Sequence, residues 1–160
     1  MPHVRFDLLD VKSPSYRRKG RYKAGDVRFP YETNDFDFVC ALNVFTYLSK
    51  VGIANYLRET YRVLRPGGLA LLTIKAIVDG DLEPRAGSTY RCRVNGEWAP
   101  RKGWSAAYDD VHVRTMIDDA GLETYAFEIG TWHKSTSRSG ERPLKGRPGA
   151  DLYVVTPNRR

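Results

Sequence analysis

The chain has 160 residues and a mass of 18.2 kDa, with 41% hydrophobic and 28% charged side chains, so it can bury the core of one globular domain. Its longest apolar run, residues 69–78, is interrupted by Thr73 and Lys75 and is too short to cross a bilayer, which argues against a membrane protein. Two cysteines exclude a disulfide scaffold, and the first residues lack the pattern of a secretory signal, so we expect a cytoplasmic protein.

The net charge of +7 and pI of about 9.5 come from two uneven stretches. Residues 12–28, here called the basic loop, hold one acid, Asp26, against seven cations: Lys12, Arg17, Arg18, Lys19, Arg21, Lys23 and Arg28. Residues 133–147 form a second basic stretch. Two interpretations stay open. The stretches are either solvated basic loops, or they form a surface that binds an acidic ligand or a nucleic acid. We see no aromatic stacking ladder among the charges, which favours the first.

The amino-terminal elements are two strands separated by an irregular segment. Residues 4–9 alternate apolar and polar side chains and predict a short strand that ends at Asp10. Residues 12–35 are rich in glycine and proline and predict loops. Residues 36–42 are mostly apolar and predict a strand buried on both faces, with Cys40 as a buried small side chain.

A helix is predicted from Ser49, as its N-cap, to Arg65. The sequence Pro66-Gly67-Gly68 ends it, because proline cannot continue a helix. Its apolar side chains recur at helical spacing and predict one buried face, formed by Ile53, Leu57, Tyr61 and Leu64. Glu59 and Arg62 are three residues apart on the opposite side, and we expect them to pair weakly in solvent.

The remaining pattern predicts an α/β fold. A buried strand over residues 69–76 is followed by an irregular segment, residues 79–104. A second helix opens at Asp109-Asp110 and ends at Gly121, with an apolar stripe of Val113, Met116, Ile117 and Ala120. Strands are predicted at 124–129 and 152–156; only a loop joins them, so we expect an antiparallel pair at one edge.

Three segments carry a family resemblance. Residues 29–48 read Phe-Pro, an acidic turn, Phe-Asp-Phe-Val and then Asn-Val-Phe-Thr-Tyr. Residues 56–68 end in Arg-Val-Leu-Arg-Pro-Gly-Gly, and residues 130–132 read Gly-Thr-Trp before the closing strand. Together they resemble class I S-adenosylmethionine-dependent methyltransferases of a type 11-like bacterial subgroup, which reads Ser-Val-Phe-Thr-His where this chain has Asn43 to Tyr47.

The resemblance implies a Rossmann-like sheet, S-adenosylmethionine as cofactor and methyl transfer to an oxygen or nitrogen. The family's glycine-rich turn, roughly Gly-x-Gly-x-Gly after its first strand, has no counterpart in this sequence, so cofactor binding by this chain alone is in question. We expect residues 1–160 to form one partial methyltransferase domain with the family's strands three to seven. Residues 38–42 would then be an exposed apolar edge. A start upstream of Met1, a split or degenerate gene, or a partner chain completing the sheet would each explain this.

The resemblance also assigns candidate site residues. Asp10 and Val11 match the end of the family's third strand, beside the adenine, whereas Asn43, Val44 and Phe45 match the segment beside the methionine and the transferred methyl. On the substrate side it implies Thr46, Tyr47 and Trp104, with residues 79–104 as a substrate-side insert. Lys75 is a further substrate-side candidate, because it is a charged residue within an apolar strand.

Each candidate also has a structural interpretation. Asp10 can be a turn residue, Asn43 can begin a helix, and Lys75 can extend to solvent from a strand end. An unperturbed tyrosine titrates near pH 10, so Tyr47 is a poor substitute for the subgroup's histidine as a base. We assign no catalytic residue, and the scattered histidines indicate no metal site.

Three functions stay open from the sequence. The first is an enzyme, or part of one, that methylates a small-molecule or unknown acceptor. The second is a non-catalytic remnant or partner subunit that binds another chain through its exposed strand. The third is a basic nucleic-acid-binding module. None of them involves a membrane.

Overall fold

A computed structural model describes residues 4–13, 16–77, 107–130 and 150–158. The described elements follow the order β1 (Phe36–Ala41), a 3₁₀ turn (Phe45–Tyr47), α1 (Lys50–Val63), β2 (Leu64–Ile74), β3 (Ala76–Ile77), β4 (Tyr108–Asp109), α2 (Asp110–Asp119), β5 (Leu122–Glu128) and β6 (Asp151–Pro157). Neither of the two α-helices in these ranges is long and apolar enough to cross a membrane.

Four strands form one mixed sheet in the order β1-β2-β6-β5. β1 and β2 run parallel with α1 as their crossover, and β6 is antiparallel to both β2 and β5. The sequence therefore predicted correctly an α/β fold with an antiparallel pair at one edge. β3 and β4 form a separate short parallel pair beyond the end of β2.

The two helices pack on one face of this sheet and form the core with it. Ser49 caps α1 as predicted, since its hydroxyl accepts a hydrogen bond from the amide of Gly52 at 3.3 Å. α2 ends where Gly121 adopts a φ of 80° beside the ring of Tyr61. The core includes Phe45, Ile53, Leu57, Leu72, Ile117, Tyr153 and Val155.

The strand predicted over residues 4–9 is wrong, because the structure has no strand there. Val4, Phe6 and Leu8 are all largely exposed, Phe6 to 90%. An isolated strand leaves its backbone groups and its apolar face without partners, and no described strand lies beside this segment. Of the family strands expected, the four-stranded sheet therefore contains those that match the fourth to seventh.

The prediction that residues 36–42 are buried on both faces is also wrong. β1 is an edge strand, and only Val39 and Ala41 pack against the core. Phe38 and Leu42 are 55% and 53% exposed, and the thiol-bearing residue Cys40 is exposed rather than buried. The expected apolar edge at residues 38–42 is therefore present.

Candidate functional site

A cavity of about 660 Å³ lies between the basic loop and the start of α1. It opens at the carboxyl end of β1, the edge at which ligands bind in open α/β sheets. One side is lined by residues of the basic loop and the residue before it: Val11, Lys12, Ser13, Tyr16, Lys23, Ala24, Gly25 and Asp26. The other side is lined by residues of the segment after β1 and of α1: Asn43, Val44, Tyr47, Leu48, Ser49, Val51 and Tyr56.

The basic loop is held in shape by its own backbone. The amide of Lys12 donates to the carbonyl of Tyr22 at 2.7 Å, and the amide of Tyr22 donates to the carbonyl of Asp10 at 3.0 Å. Ser13 and Arg17 exchange two backbone hydrogen bonds of 2.8 and 3.1 Å. The Asp10 carboxylate accepts from the Arg17 guanidinium, so it ties the loop together instead of facing the cavity.

Helix α1 holds the end of the basic loop and the residues that follow it. The Asn55 amide donates to the carbonyls of Ala24 and Val27 at 3.0 and 2.7 Å. The Arg62 guanidinium donates to the carbonyls of Phe29 and Tyr31 at 3.0 and 2.7 Å. These bonds fix the wall of the cavity that the loop supplies.

Glu59 and Arg62 do not form the weak exposed pair that we predicted. Their side chains are only 13% and 17% exposed, and the Glu59 carboxylate receives two bonds from Arg62, at 2.6 and 2.9 Å, and one from the Phe29 amide at 2.7 Å. Burial alone would raise the pKa of Glu59. The hydrogen bonds from Arg62 and Phe29, with the Arg62 and Arg28 charges, outweigh it and hold this pKa below its ordinary value.

The floor of the cavity begins at Asn43, which has a φ of 56°. Asparagine tolerates this left-handed conformation better than most residues, so the chain can turn sharply from β1 into the 3₁₀ turn. The Asn43 amide donates to the Thr73 hydroxyl on the neighbouring strand at 2.7 Å. This bond anchors the turn to the sheet and leaves the Asn43 side chain exposed.

Three tyrosines give the cavity an aromatic lining. The rings of Tyr16 and Tyr47 meet edge to face, with centroids 5.4 Å apart. Tyr56 packs edge to face against Phe29 at 5.1 Å, and burial raises the pKa of its phenol. Tyr56 therefore stays neutral at physiological pH and cannot serve as a base there.

A fourth tyrosine supports the cavity from behind. The hydroxyl of Tyr108, on β4, donates to the carbonyl of Leu48 at 2.9 Å, and burial raises the pKa of Tyr108 to about 12. This bond connects the cavity wall at Leu48 to the far side of the core.

The structure brings together four of the nine candidate site residues named from the sequence. Val11, Asn43, Val44 and Tyr47 line the cavity, and Asp10 is adjacent. Phe45 and Thr46 are buried, with Phe45 in the core. Lys75 is buried at the end of β2 and does not line this cavity, and its carbonyl accepts from the Tyr108 amide at 2.9 Å.

Other predictions fall on residues outside the described ranges. They include Trp104, the insert at residues 79–104, the second basic stretch and most of the Gly-Thr-Trp segment.

The sequence analysis missed the side of the cavity that the basic loop supplies. A clue was present in α1, since Asn55, Glu59 and Arg62 recur at spacings of four and three residues. Such a polar stripe, like an apolar one, marks a single face of a helix. Here that face holds the backbone of residues 24–31.

Comparison with known proteins gives both a family match and structural matches. Residues 6–72 match a family model described as "Methyltransferase domain". Among solved structures, the apo form of the S-adenosylmethionine-dependent methyltransferase SibL has a TM-score of 0.51 and 14% identity over 86% of this chain and 35% of its own. The chain has a class I methyltransferase fold. The methyltransferase fold that the sequence resemblance implied is thus confirmed.

Two further structures have the same range of similarity. A structure of a possible exported protein from Bordetella parapertussis matches at a TM-score of 0.50 with 13% identity, over 88% of this chain and 43% of its own. An S-adenosylmethionine-dependent methyltransferase of Methanosarcina mazei matches at 0.49 with 12% identity, over 85% and 65%. This methyltransferase-fold chain therefore spans about a third to two thirds of the length of these three matched structures.

Proposed function

We propose that this chain takes part in S-adenosylmethionine-dependent methyl transfer to an oxygen or nitrogen of an acceptor, at the cavity between the basic loop and α1. The observation that carries the proposal is the position of this cavity. It lies at the carboxyl end of β1, over the Asn43–Tyr47 segment, in a chain with a methyltransferase fold.

The residues of the cavity fit the chemical groups of the cofactor. Its volume of about 660 Å³ lies within the usual range of ligand pockets, about 300–1,000 Å³. Asp26 would hold the amino group of the cofactor, Lys12 and Lys23 its carboxylate, and the Tyr56 ring its adenine. These side chains would hold the cofactor in place of the family's glycine-rich turn, which this sequence lacks.

The chain's own contribution would be positioning and exclusion of water. The bound cofactor supplies a sulfonium methyl that is already a good electrophile, so no dedicated catalytic side chain is required. The backbone bonds of Asn43 and Leu48 hold the cavity floor in place before any ligand arrives. Tyr47, beside Tyr16, would form the aromatic wall on the acceptor side.

Calorimetric titration of the 160-residue chain with S-adenosylhomocysteine tests this proposal. We expect a Kd near the micromolar range, about −8 kcal/mol of binding free energy. Val44→Trp places a bulky ring in the cavity and is expected to weaken binding at least about tenfold. Val111→Trp, at an exposed position of α2, is the matched control and should bind normally. A folded chain that shows no heat of binding would contradict cofactor binding by this chain alone.

The exposed edge strand supports a second candidate, a subunit that pairs with another chain through β1. Phe38 and Leu42 expose large apolar side chains there, and the outer edge of β1 carries unpaired backbone groups within the described sheet. A strand added at this edge would cover both, as in other cases of strand addition.

Sedimentation velocity at increasing protein concentration tests the second candidate. We expect the chain to associate, and Phe38→Lys to abolish association because it places a charge in the proposed contact. Tyr125→Lys alters an exposed side chain on β5, at the opposite edge of the sheet, and should not change it. Monomers at every concentration, or equal loss in both variants, would contradict pairing of chain copies through β1.

A further inference from the structure

The basic loop presents its cations from an ordered scaffold rather than a free tail. Backbone hydrogen bonds between residues 10–13 and 17–22 close the loop, and Asn55 clamps its far end. Lys12, Arg18, Lys19, Arg21 and Lys23 are nevertheless exposed. The Asp10 carboxylate holds Arg17, and the Arg28 charge acts on Glu59. The remaining positive charge is free to meet an anionic partner.

Two exposed tyrosines lie among these cations. Tyr16 is 71% and Tyr22 is 42% exposed. The Arg21 guanidinium lies 5.3 Å from the centroid of the Tyr22 ring, and the Tyr16 ring is braced edge to face by Tyr47. Tyr16 and Tyr22 are six positions apart in the sequence, which shows no aromatic ladder, and only the fold sets both rings beside the charges. Exposed aromatic faces beside arginine and lysine are the elements on which nucleic-acid bases stack.

We propose that the basic loop binds single-stranded nucleic acid, with its lysines and arginines on the phosphates and with Tyr16 and Tyr22 stacking on bases. An acidic protein or an anionic membrane would account for the cations alone, whereas a single strand of nucleic acid also accounts for the two exposed tyrosine rings among them. The proposed surface borders the cavity, since Lys12, Tyr16 and Lys23 belong to both.

Fluorescence anisotropy with a labelled oligothymidylate of about twelve nucleotides tests the proposal. The 160-residue chain is expected to bind it at low salt. The logarithm of the association constant should fall with the logarithm of salt concentration at a slope of about −3, as expected for roughly four phosphate contacts on a single strand. The assay contains no cofactor, so its result does not depend on the proposed methyl transfer.

Two double variants with the same change in net charge test whether binding depends on the basic loop or only on the overall positive charge. The double variant Arg18→Glu/Lys19→Glu should weaken binding at least about tenfold at low salt. It should also reduce the magnitude of the slope of log association constant against log salt by more than about one. Lys50→Glu/Arg58→Glu changes the same residue types at exposed positions of α1 that do not line the cavity, and should change Kd by less than about threefold. Near-ultraviolet circular dichroism verifies that each variant is folded.

Tyrosine variants test the stacking. Tyr22→Leu and Tyr16→Leu should each weaken binding about fivefold or more, and Tyr22→Phe should restore it. Equal affinity for polyglutamate of similar charge, or tyrosine variants that bind normally, would overturn the nucleic-acid assignment in favour of an acidic protein. Binding to phosphatidylserine vesicles without binding to the oligonucleotide would overturn it in favour of a membrane surface.

Discussion

Replacing Asp151 by alanine is expected to cost about 3 kcal/mol or more of unfolding free energy. Asp151 is fully buried at the start of β6, and its two carboxylate oxygens accept from the amides of Ala76 and Gly130 at 2.7 and 2.8 Å. It thereby joins β3, the end of β5 and β6. Alanine would leave two buried amides without these acceptors, at about 1–3 kcal/mol each.

Urea unfolding followed by circular dichroism measures this loss. Asp151→Asn keeps the shape and one acceptor oxygen, so it should lose about half as much free energy. The control is Asp37→Ala, which removes a carboxylate that is 79% exposed and paired with Arg65 on the surface. It should cost less than about 1 kcal/mol. A loss below about 1 kcal/mol for Asp151→Ala would show that the carboxylate does not hold these segments together.

Glu59→Gln is expected to cost about 2 kcal/mol or more at neutral pH. The variant keeps the shape of the side chain but removes the charge that compensates the nearly buried guanidinium of Arg62, 2.6 Å away. The Phe29 amide would also lose its charged acceptor. Arg58→Gln removes an exposed charge from the same helix and serves as the control, with an expected change of less than about 0.5 kcal/mol.

This loss should depend on pH in a defined direction. The pKa of Glu59 is lower in the folded chain than in the unfolded chain, so its contribution is complete above the unfolded pKa, about 4.3, and declines as the pH falls through the folded pKa. The difference between the parent chain and Glu59→Gln should therefore be constant from pH 7 to about pH 5.5 and shrink below about pH 4. A difference that grows in acid would contradict the direction of this shift.

Local sequence patterns predicted the elements that carry their own start residues. Ser49 predicted the start of α1 at Lys50, because capping acts within a few residues. The predicted end was wrong: α1 ends at Val63, and Pro66-Gly67-Gly68 lie within β2. The β5–β6 pair was predicted from its alternation and from the lack of an intervening helix. Residues 4–9 have the same alternation, yet they form no strand, because a strand needs a neighbour that the local pattern does not contain.

The candidate site was predictable only in part. The resemblance located Asn43, Val44 and Tyr47 at the cavity, because they follow β1 directly in the chain. It could not locate Lys12, Lys23 or Asp26 there. Their placement depends on backbone bonds within the basic loop and on hydrogen bonds between residues 24–31 and a helix about thirty positions later, and no local pattern specifies such contacts.

The sequence by itself determined the α/β class, the position of both helices, the family resemblance and the excess of positive charge. These properties follow from periodicity, capping residues and composition, which neighbouring residues decide. The tertiary structure decided which faces are buried. It exposed Cys40 on an edge strand, buried the charges of Glu59 and Arg62, and set the basic loop against α1. Burial and charge pairing depend on residues distant in the chain, so only the folded chain fixes them.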